Sequence, residues 1–252
     1  MVTGGASGIG RAVALALARN GADVMLAGRR EVELSLVADE IRALGRSAAA
    51  LSTDVTDRAQ VERLVERAVA EFGRIDIVVA NAGQYVRKPI AEATASDFER
   101  SLAVNFYGAL HLVLAALPHL KAQGSGHIVL MSSLDGKKGI PPDAPYVAAK
   151  FALAGLGDVL RQELREDGIG VSLIFPGRVD TPMIDRLDVP RISAKVPPEA
   201  VANAVVSAIQ HRTPEVIIPL SARLFLLANG LSPLLGDWVT RTFSLDGWEK
   251  TG

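Results

Sequence analysis

Short apolar or β-branched runs alternate along the chain with longer stretches whose apolar residues recur every three to four positions. The runs Ala22–Leu26, Ala48–Leu51, Ile75–Ala80, His127–Met131, Gly170–Phe175 and Glu215–Ile218 predict strands. The longer stretches predict helices over Arg11–Asn20, Glu31–Leu44, Arg58–Phe72, Ser96–Ala122, Pro145–Asp167 and Glu199–Gln210, several of them followed by a glycine stop signal. Residues 77–80 (IVVA) and 127–131 (HIVLM) are apolar without alternation, as strands are when helices cover both faces of a sheet. The expected fold is therefore α/β, a doubly wound parallel sheet. Only Met1 and Val2 precede the first glycine-rich turn, fewer than the roughly five residues of an ordinary strand. Either the first strand is a stub or the sequence begins inside the natural protein, and the second reading is favoured.

Composition narrows the class. A chain of 252 residues suits one domain of this type. Its 27 Lys+Arg against 28 Asp+Glu leave no basic excess for a nucleic-acid backbone, so no nucleic-acid partner is expected. With 49% apolar and 22% charged residues it is not a disordered chain. The lack of cysteine removes disulfides, thiolate metal sites and a cysteine nucleophile, and leans towards a cytoplasmic location. No secretory leader opens the sequence. Val216–Val239 comes nearest to a membrane span but is broken by Pro219, Arg223, Gly230, Pro233 and Asp237. The four histidines, His111, His119, His127 and His211, lack metal-ligand spacing, so no metal is expected. Asp180 and Asp185 read as ordinary loop carboxylates.

Chemistry enters at Thr3-Gly-Gly-Ala-Ser-Gly-Ile-Gly10, between the strand stub and the helix expected from Arg11. Glycines at 4, 8 and 10 let backbone N–H groups approach a pyrophosphate at a helix N-terminus, a Rossmann-type dinucleotide cradle. A carboxylate about 20 residues on would accept the ribose hydroxyls of NAD. Here the second strand ends in Gly28-Arg29-Arg30, and paired guanidiniums favour the 2′-phosphate of NADP(H) over two merely solvated arginines. Asp54, followed by Val55, reads equally as a partner for the adenine amino group or, with Thr56, as an N-cap.

Beyond this loop stand Asn81-Ala-Gly83, Asn105, Ser132-Ser133, Tyr146 with Lys150 four residues later, Pro176-Gly177 and Thr181. In this order, over nearly the whole chain, they make the sequence resemble the classical short-chain dehydrogenases/reductases. The resemblance implies catalysis by Asn105, Ser133, Tyr146 and Lys150. Tyr146 would protonate the carbonyl oxygen, Lys150 would stabilise its phenolate and hold the nicotinamide ribose, Ser133 would hold the substrate oxygen, and Asn105, inside the fourth helix, a water reaching Lys150. It implies cofactor contacts from Thr3, Gly4, Ser7, Gly8, Ile9, Gly10, Arg29, Arg30, Asp54, Val55, Asn81, Ala82, Gly83, Tyr146 and Lys150. Pro176, Gly177, Val179 and Thr181 would meet the carboxamide. The expected activity is NADP-dependent hydride transfer between nicotinamide and a carbonyl or secondary alcohol. A non-catalytic NADP-sensing regulator on the same fold is the alternative, though such proteins commonly lose the tyrosine or lysine.

A lid over Arg178–Pro198 carries Met183, Ile184, Leu187 and Ile192 and no arginine cluster for a phosphate tail, which favours a hydrophobic substrate. The resemblance also implies a homodimer or homotetramer built on the helices 96–122 and 145–167. An apolar extension, 220–252, contains two short helical pieces broken at Gly230 and Pro233. Three readings of 220–243 stand open: a wall of the substrate pocket, a subunit interface, or peripheral docking on a membrane through Arg223, Trp238, Arg241 and Phe243, with Trp248 beyond.

Overall fold

A computed structural model describes residues 1–190 and 194–249. Its strands are β1 (Val2–Thr3), β2 (Val24–Gly28), β3 (Ala48–Ser52), β4 (Ile77–Ala80), β5 (Gly126–Met131), β6 (Ile169–Pro176), β7 (Leu187–Asp188), β8 (Glu215–Ile218) and β9 (Trp248–Glu249). Its helices are α1 (Gly8–Arg19), α2 (Glu31–Ala43), α3 (Arg58–Phe72), α4 (Ala95–Leu102), α5 (Gly108–Gln123), α6 (Ala144–Glu163), α7 (Pro198–His211), α8 (Ala222–Leu231) and α9 (Pro233–Thr242). Seven strands form one parallel sheet in the order β3-β2-β1-β4-β5-β6-β8, a Rossmann-like single domain.

Alternate strand residues feed two cores. Val79, Val129 and Met131 face α1, α2 and α7, whereas Val78, Ala80, Ile128 and Leu130 face α3, α5 and α6. Both sets are buried, which is why these strands read as unbroken apolar runs. Val2 pairs with Leu26 on one side and Val79 on the other, so even a two-residue β1 sits at the sheet centre. The chain winds outward through β2 and β3, then returns to β4 beside β1. The crevice at this reversal is where doubly wound sheets bind ligands.

Three expectations need correction. Helix α1 starts at Gly8 rather than Arg11, because Ser7 takes the extended N-cap conformation and the glycine turn runs straight into the helix. The helix expected over Ser96–Ala122 contains a π-helical turn at Ala103–Tyr107 between α4 and α5. Among the described residues that same unit, Ala95–Gln123, and not the segment 216–239, is the helix long and apolar enough to cross a bilayer. Leu112, Val113, Ala116 and Leu120 are fully buried, so one face of it belongs to the core.

The antiparallel pair of β7 with β9 joins the segment after β6 to the C-terminal segment. Two-residue strands carry no periodicity, so this pairing has no local sequence signature. Helices α8 and α9 form a hairpin that breaks at Ser232, with Gly230 still inside α8.

Candidate active site

One cleft of about 820 Å³ runs from the glycine turn to the α8–α9 hairpin. At its first end lie Gly4, Ser7, Gly8, Ile9 and Gly10. Gly4 has φ +66°, and a Cβ on Gly10 would fall 2.1 Å from the Gly4 carbonyl oxygen. No side chain fits there, and the backbone of the turn is left open to the cleft. The fit to a pyrophosphate is therefore good. Thr3 and Asn81 weld this turn to β4: Asn81 Nδ2 donates to the Thr3 carbonyl at 3.0 Å, and Thr3 Oγ1 accepts from the amides of Asn81 and Ala82 at 3.1 and 3.2 Å. Asn81, Ala82 and Gly83 then line the cleft.

Arg29 and Arg30, both exposed, line it at the end of β2. Arg30 Nη2 donates to Ser7 Oγ at 2.6 Å, so a guanidinium arches over the glycine turn. Asp54 and Val55 also line the cleft, but the helix cap reading fails for Asp54 and Thr56. Asp57 is the N-cap of α3, accepting from the Gln60 amide at 3.2 Å, while Asp54 Oδ1 closes a turn on the Thr56 amide and hydroxyl.

Further along, β5 and α6 bring together Ser133, Tyr146 and Lys150. The Lys150 ammonium is buried, donates to the Met131 carbonyl at 2.8 Å and lies 5.4 Å from the centre of the Tyr146 ring. Burial lowers Lys150 to about 8, against the raising influence of Asp135. Tyr85 packs edge-on against Tyr146, ring centres 5.1 Å apart. The Tyr146 phenol is pushed up, by burial first and then by the Asp135 carboxylate, while a hydrogen bond with Ser133 works the other way. The sequence reading expected a lysine to stabilise the phenolate. Here the loss of hydration and two acidic neighbours, Asp135 and Asp143, hold the resting phenol in its neutral form.

Asn105 lies in the π turn, whose extra residue turns the side chain inward. Its Oδ1 accepts from the Gln84 amide at 3.1 Å, and its Nδ2 donates to the carbonyls of Gln84 and Ser101 at 2.8 and 3.0 Å. It thereby clamps the irregular segment that follows Gly83. Across the cleft, Pro176 at the end of β6 and Gly177, Val179 and Thr181 after it line the wall facing the glycine turn. A Cβ on Gly8 would come 3.0 Å from Thr181 Cγ2.

Sequence reasoning missed a charged group at the substrate end. Asp143, at the N-terminus of α6, accepts from the Tyr85 hydroxyl at 2.7 Å and from Arg87 Nη1 at 3.3 Å. Arg87 continues to the carbonyls of Asp246 and Gly247, and Arg178 donates to that of Leu245. Asp135, Asp143 and Arg178 line the cleft. Asp143 stands at the helix's N-cap position without capping it, its carboxylate turned to Tyr85 and Arg87, partners about 56 residues away that no local pattern indicates. The opposite wall is apolar: Ile184 and Leu187 from the lid, and Leu224, Phe225, Ala228, Val239 and Phe243 from the hairpin. Ile192 lies outside the described residues.

The short chain dehydrogenase family profile matches residues 1–190. This chain belongs to the short-chain dehydrogenase family. A ketoacyl reductase of Nostoc is 34% identical to this short-chain dehydrogenase over 254 residues, covering 97% of this chain and 88% of the relative. A Burkholderia phymatum short-chain dehydrogenase/reductase solved with NAD superposes with a TM-score of 0.85 at 27% identity, covering 93% of each chain. An alcohol dehydrogenase of Thermococcus sibiricus solved with 5-hydroxy-NADP gives 0.79 at 28% identity, covering 86% of this chain and 94% of that one. Both solved structures are oxidoreductase folds with a nicotinamide dinucleotide bound, one of each type.

Proposed function

We propose that this short-chain dehydrogenase moves hydride between NADP(H) and a carbonyl or secondary alcohol borne on an apolar molecule. The observation that carries the reading is a single cleft with a dinucleotide cradle at one end, Ser133, Tyr146 and Lys150 in its middle, and an apolar wall at the other. When bound, the dinucleotide supplies or accepts the hydride. The glycine turn would hold its pyrophosphate, Asn81–Gly83 and Lys150 its ribose, and Pro176–Thr181 its carboxamide.

Tyr146 donates its hydroxyl proton to the substrate oxygen during reduction and takes it back during oxidation. Ser133 hydrogen-bonds the same oxygen. Lys150, fixed through the Met131 carbonyl, sets a positive charge beside the Tyr146 ring and favours the phenolate that forms as the proton leaves. The presence of both Tyr146 and Lys150 supports an enzyme over a sensor. Asn105 acts at one remove, by holding Gln84 and the loop under the ribose.

Support for NADP(H) comes from Arg29 and Arg30 at the end of β2 and from the Arg30–Ser7 contact, which holds one guanidinium beside the glycine turn. Absorbance assays with NADPH and NADH on a panel of apolar ketones, aldehydes and alcohols test both the chemistry and the cofactor. Arg29→Ala with Arg30→Ala is expected to raise the KM for NADPH well above any change for NADH. Equal use of the two cofactors by the wild-type protein would leave the arginines as surface charges.

We place the inner face of α8–α9 as a wall of the substrate pocket, and assign assembly into a dimer or tetramer to the outer faces of α5 and α6. A cytoplasmic location fits this reading.

A further inference from the structure

The hydrogen bonds around Ser133 raise a question that the roles above leave open. Ser133 Oγ donates to Asp135 Oδ2 at 3.0 Å and accepts from the Asp135 amide at 3.1 Å. A hydroxyl carries one hydrogen. While that hydrogen points at the carboxylate it is not available to the substrate oxygen. Asp135 lines the cleft, and its other oxygen, Oδ1, is shut off from solvent without a hydrogen-bond partner in the described structure. An ionised carboxylate left half-satisfied in this way is costly, whereas a neutral carboxyl tolerates it better.

We propose that Asp135 is a positioning residue whose protonation decides which way the Ser133 hydroxyl points. With Asp135 ionised, Ser133 donates to Oδ2. With Asp135 neutral, the carboxyl donates its own proton to Ser133 Oγ, and the Ser133 hydrogen turns to the oxygen that gains negative charge as hydride arrives. The proton on Asp135 stays there throughout, and Tyr146 still supplies the one that ends on the alcohol. The proposal rests on the oxidoreductase reading above.

The surroundings set the switch near neutrality. Burial pushes Asp135 up to about 7, and the Asp143 carboxylate at the start of α6 adds to it. Ser133, Arg178 after β6 and Lys150 on α6 pull the other way. Arg87 and Tyr85, from the segment after β4, act through Asp143. Neutral Asp135 also relieves Tyr146, whose phenol the carboxylate otherwise holds up, so both groups that touch the substrate oxygen improve together.

Infrared titration of the protein without cofactor or substrate tests the coupling independently of turnover. The protonated-carboxyl band removed by Asp135→Asn is expected to titrate near pH 7 in the wild type, and Ser133→Ala is expected to raise its midpoint by about one pH unit, the effect of one hydrogen bond to a charged group. A carboxyl ionised throughout pH 5–9, or a midpoint indifferent to Ser133→Ala, overturns the proposal. For reduction, wild-type kcat/KM is expected to fall about ten-fold between pH 6 and 8, as a single ionisation dictates. In Asp135→Asn and Asp135→Ser that fall is expected to shrink to the roughly two-fold change that Lys150 leaves, and Asp135→Glu to restore it. Profiles unchanged by these substitutions also overturn it. Coupled infrared behaviour with no carbonyl reduced by any variant sinks the oxidoreductase reading and leaves the Ser133–Asp135 coupling standing.

Discussion

A phenol near its ordinary pKa of about 10 is a poor acid or base at neutral pH, and the chain's own burial pushes Tyr146 further from usefulness. Its activity therefore depends on what Lys150 and Ser133 do at the moment of proton transfer. Tyr146→Phe removes the transferable proton but keeps the ring that Tyr85 and Lys150 contact, so the fold and cofactor affinity are expected to survive while kcat falls by ~10²–10⁴. Steady-state kinetics with cofactor-binding titration checks this, and near-normal kcat would remove Tyr146 from the mechanism. Lys150→Met is expected to lose both turnover and cofactor binding.

His127 shows the same physics with no part in the site. Its Nε2 lies 2.8 Å from Ser172 Oγ, and that hydroxyl donates to the Thr213 carbonyl at 2.6 Å, so the imidazole N–H is the donor between them. Burial, with the Arg212 charge adding, lowers it to about 4. A depressed folded value means the neutral ring's stability is fully present above pH 6.5 and lost as pH falls through 4. The loss amounts to about 3 kcal/mol by linkage. His127→Gln, which cannot titrate, is expected to flatten the denaturation free energy over that window. An unchanged pH profile would show that another group dominates acid unfolding.

Among the elements, the α8–α9 hairpin carries the plainest dual character. Phe225, Ala228, Val239 and Phe243 line the cleft, yet Leu231 is 84% and Leu234 78% exposed, with Leu220, Leu227 and Trp238 beside them. The hairpin is anchored from below: Lys138 Nζ reaches Asp237 at 2.6 Å, and Arg87 and Arg178 hold the carbonyls of 245–247 that follow it. Truncation after Pro219 is expected to abolish turnover while the oligomer survives, because it opens the pocket to water. Dissociation on truncation would assign the hairpin to a subunit interface, and loss of liposome binding alone would assign it to a membrane. The π turn at Ala103–Tyr107 is the other element whose local form matters, since it is where Asn105 grips Gln84.

At the scale of the whole molecule, apolar side chains remain exposed on the π turn, α5 and α6. Tyr107 and Leu114, seven residues apart, share one face of the π turn and α5, and Phe151 and Val159, eight apart, share one face of α6. Such rows fit a second copy of the same surface about a two-fold axis. Light scattering at micromolar concentration is expected to report a dimer or tetramer, and Leu114→Glu with Phe151→Glu to reduce it to a monomer. A monomeric wild-type protein would refute this assembly.

How much of this was legible beforehand follows the range of the forces involved. Six strands and the doubly wound parallel sheet came from local apolar periodicity, which burial imposes on each segment separately. The glycine turn and the Tyr146–Lys150 pair were readable because their geometry is set within a few residues: a positive φ at Gly4, one helical turn on α6. Only tertiary structure decided what lies across the cleft. Asp135 and Asp143 are eight residues apart on different elements, Arg87 and Arg178 are far from both in sequence, and the β7–β9 pair joins segments some 60 residues distant. The inward turn of Asn105 needs an extra residue in a helix that looks regular in sequence. The ionisation of Tyr146 and Asp135 likewise has no local signature, because it is fixed by burial and by charges that the fold, and not the neighbouring sequence, brings within reach.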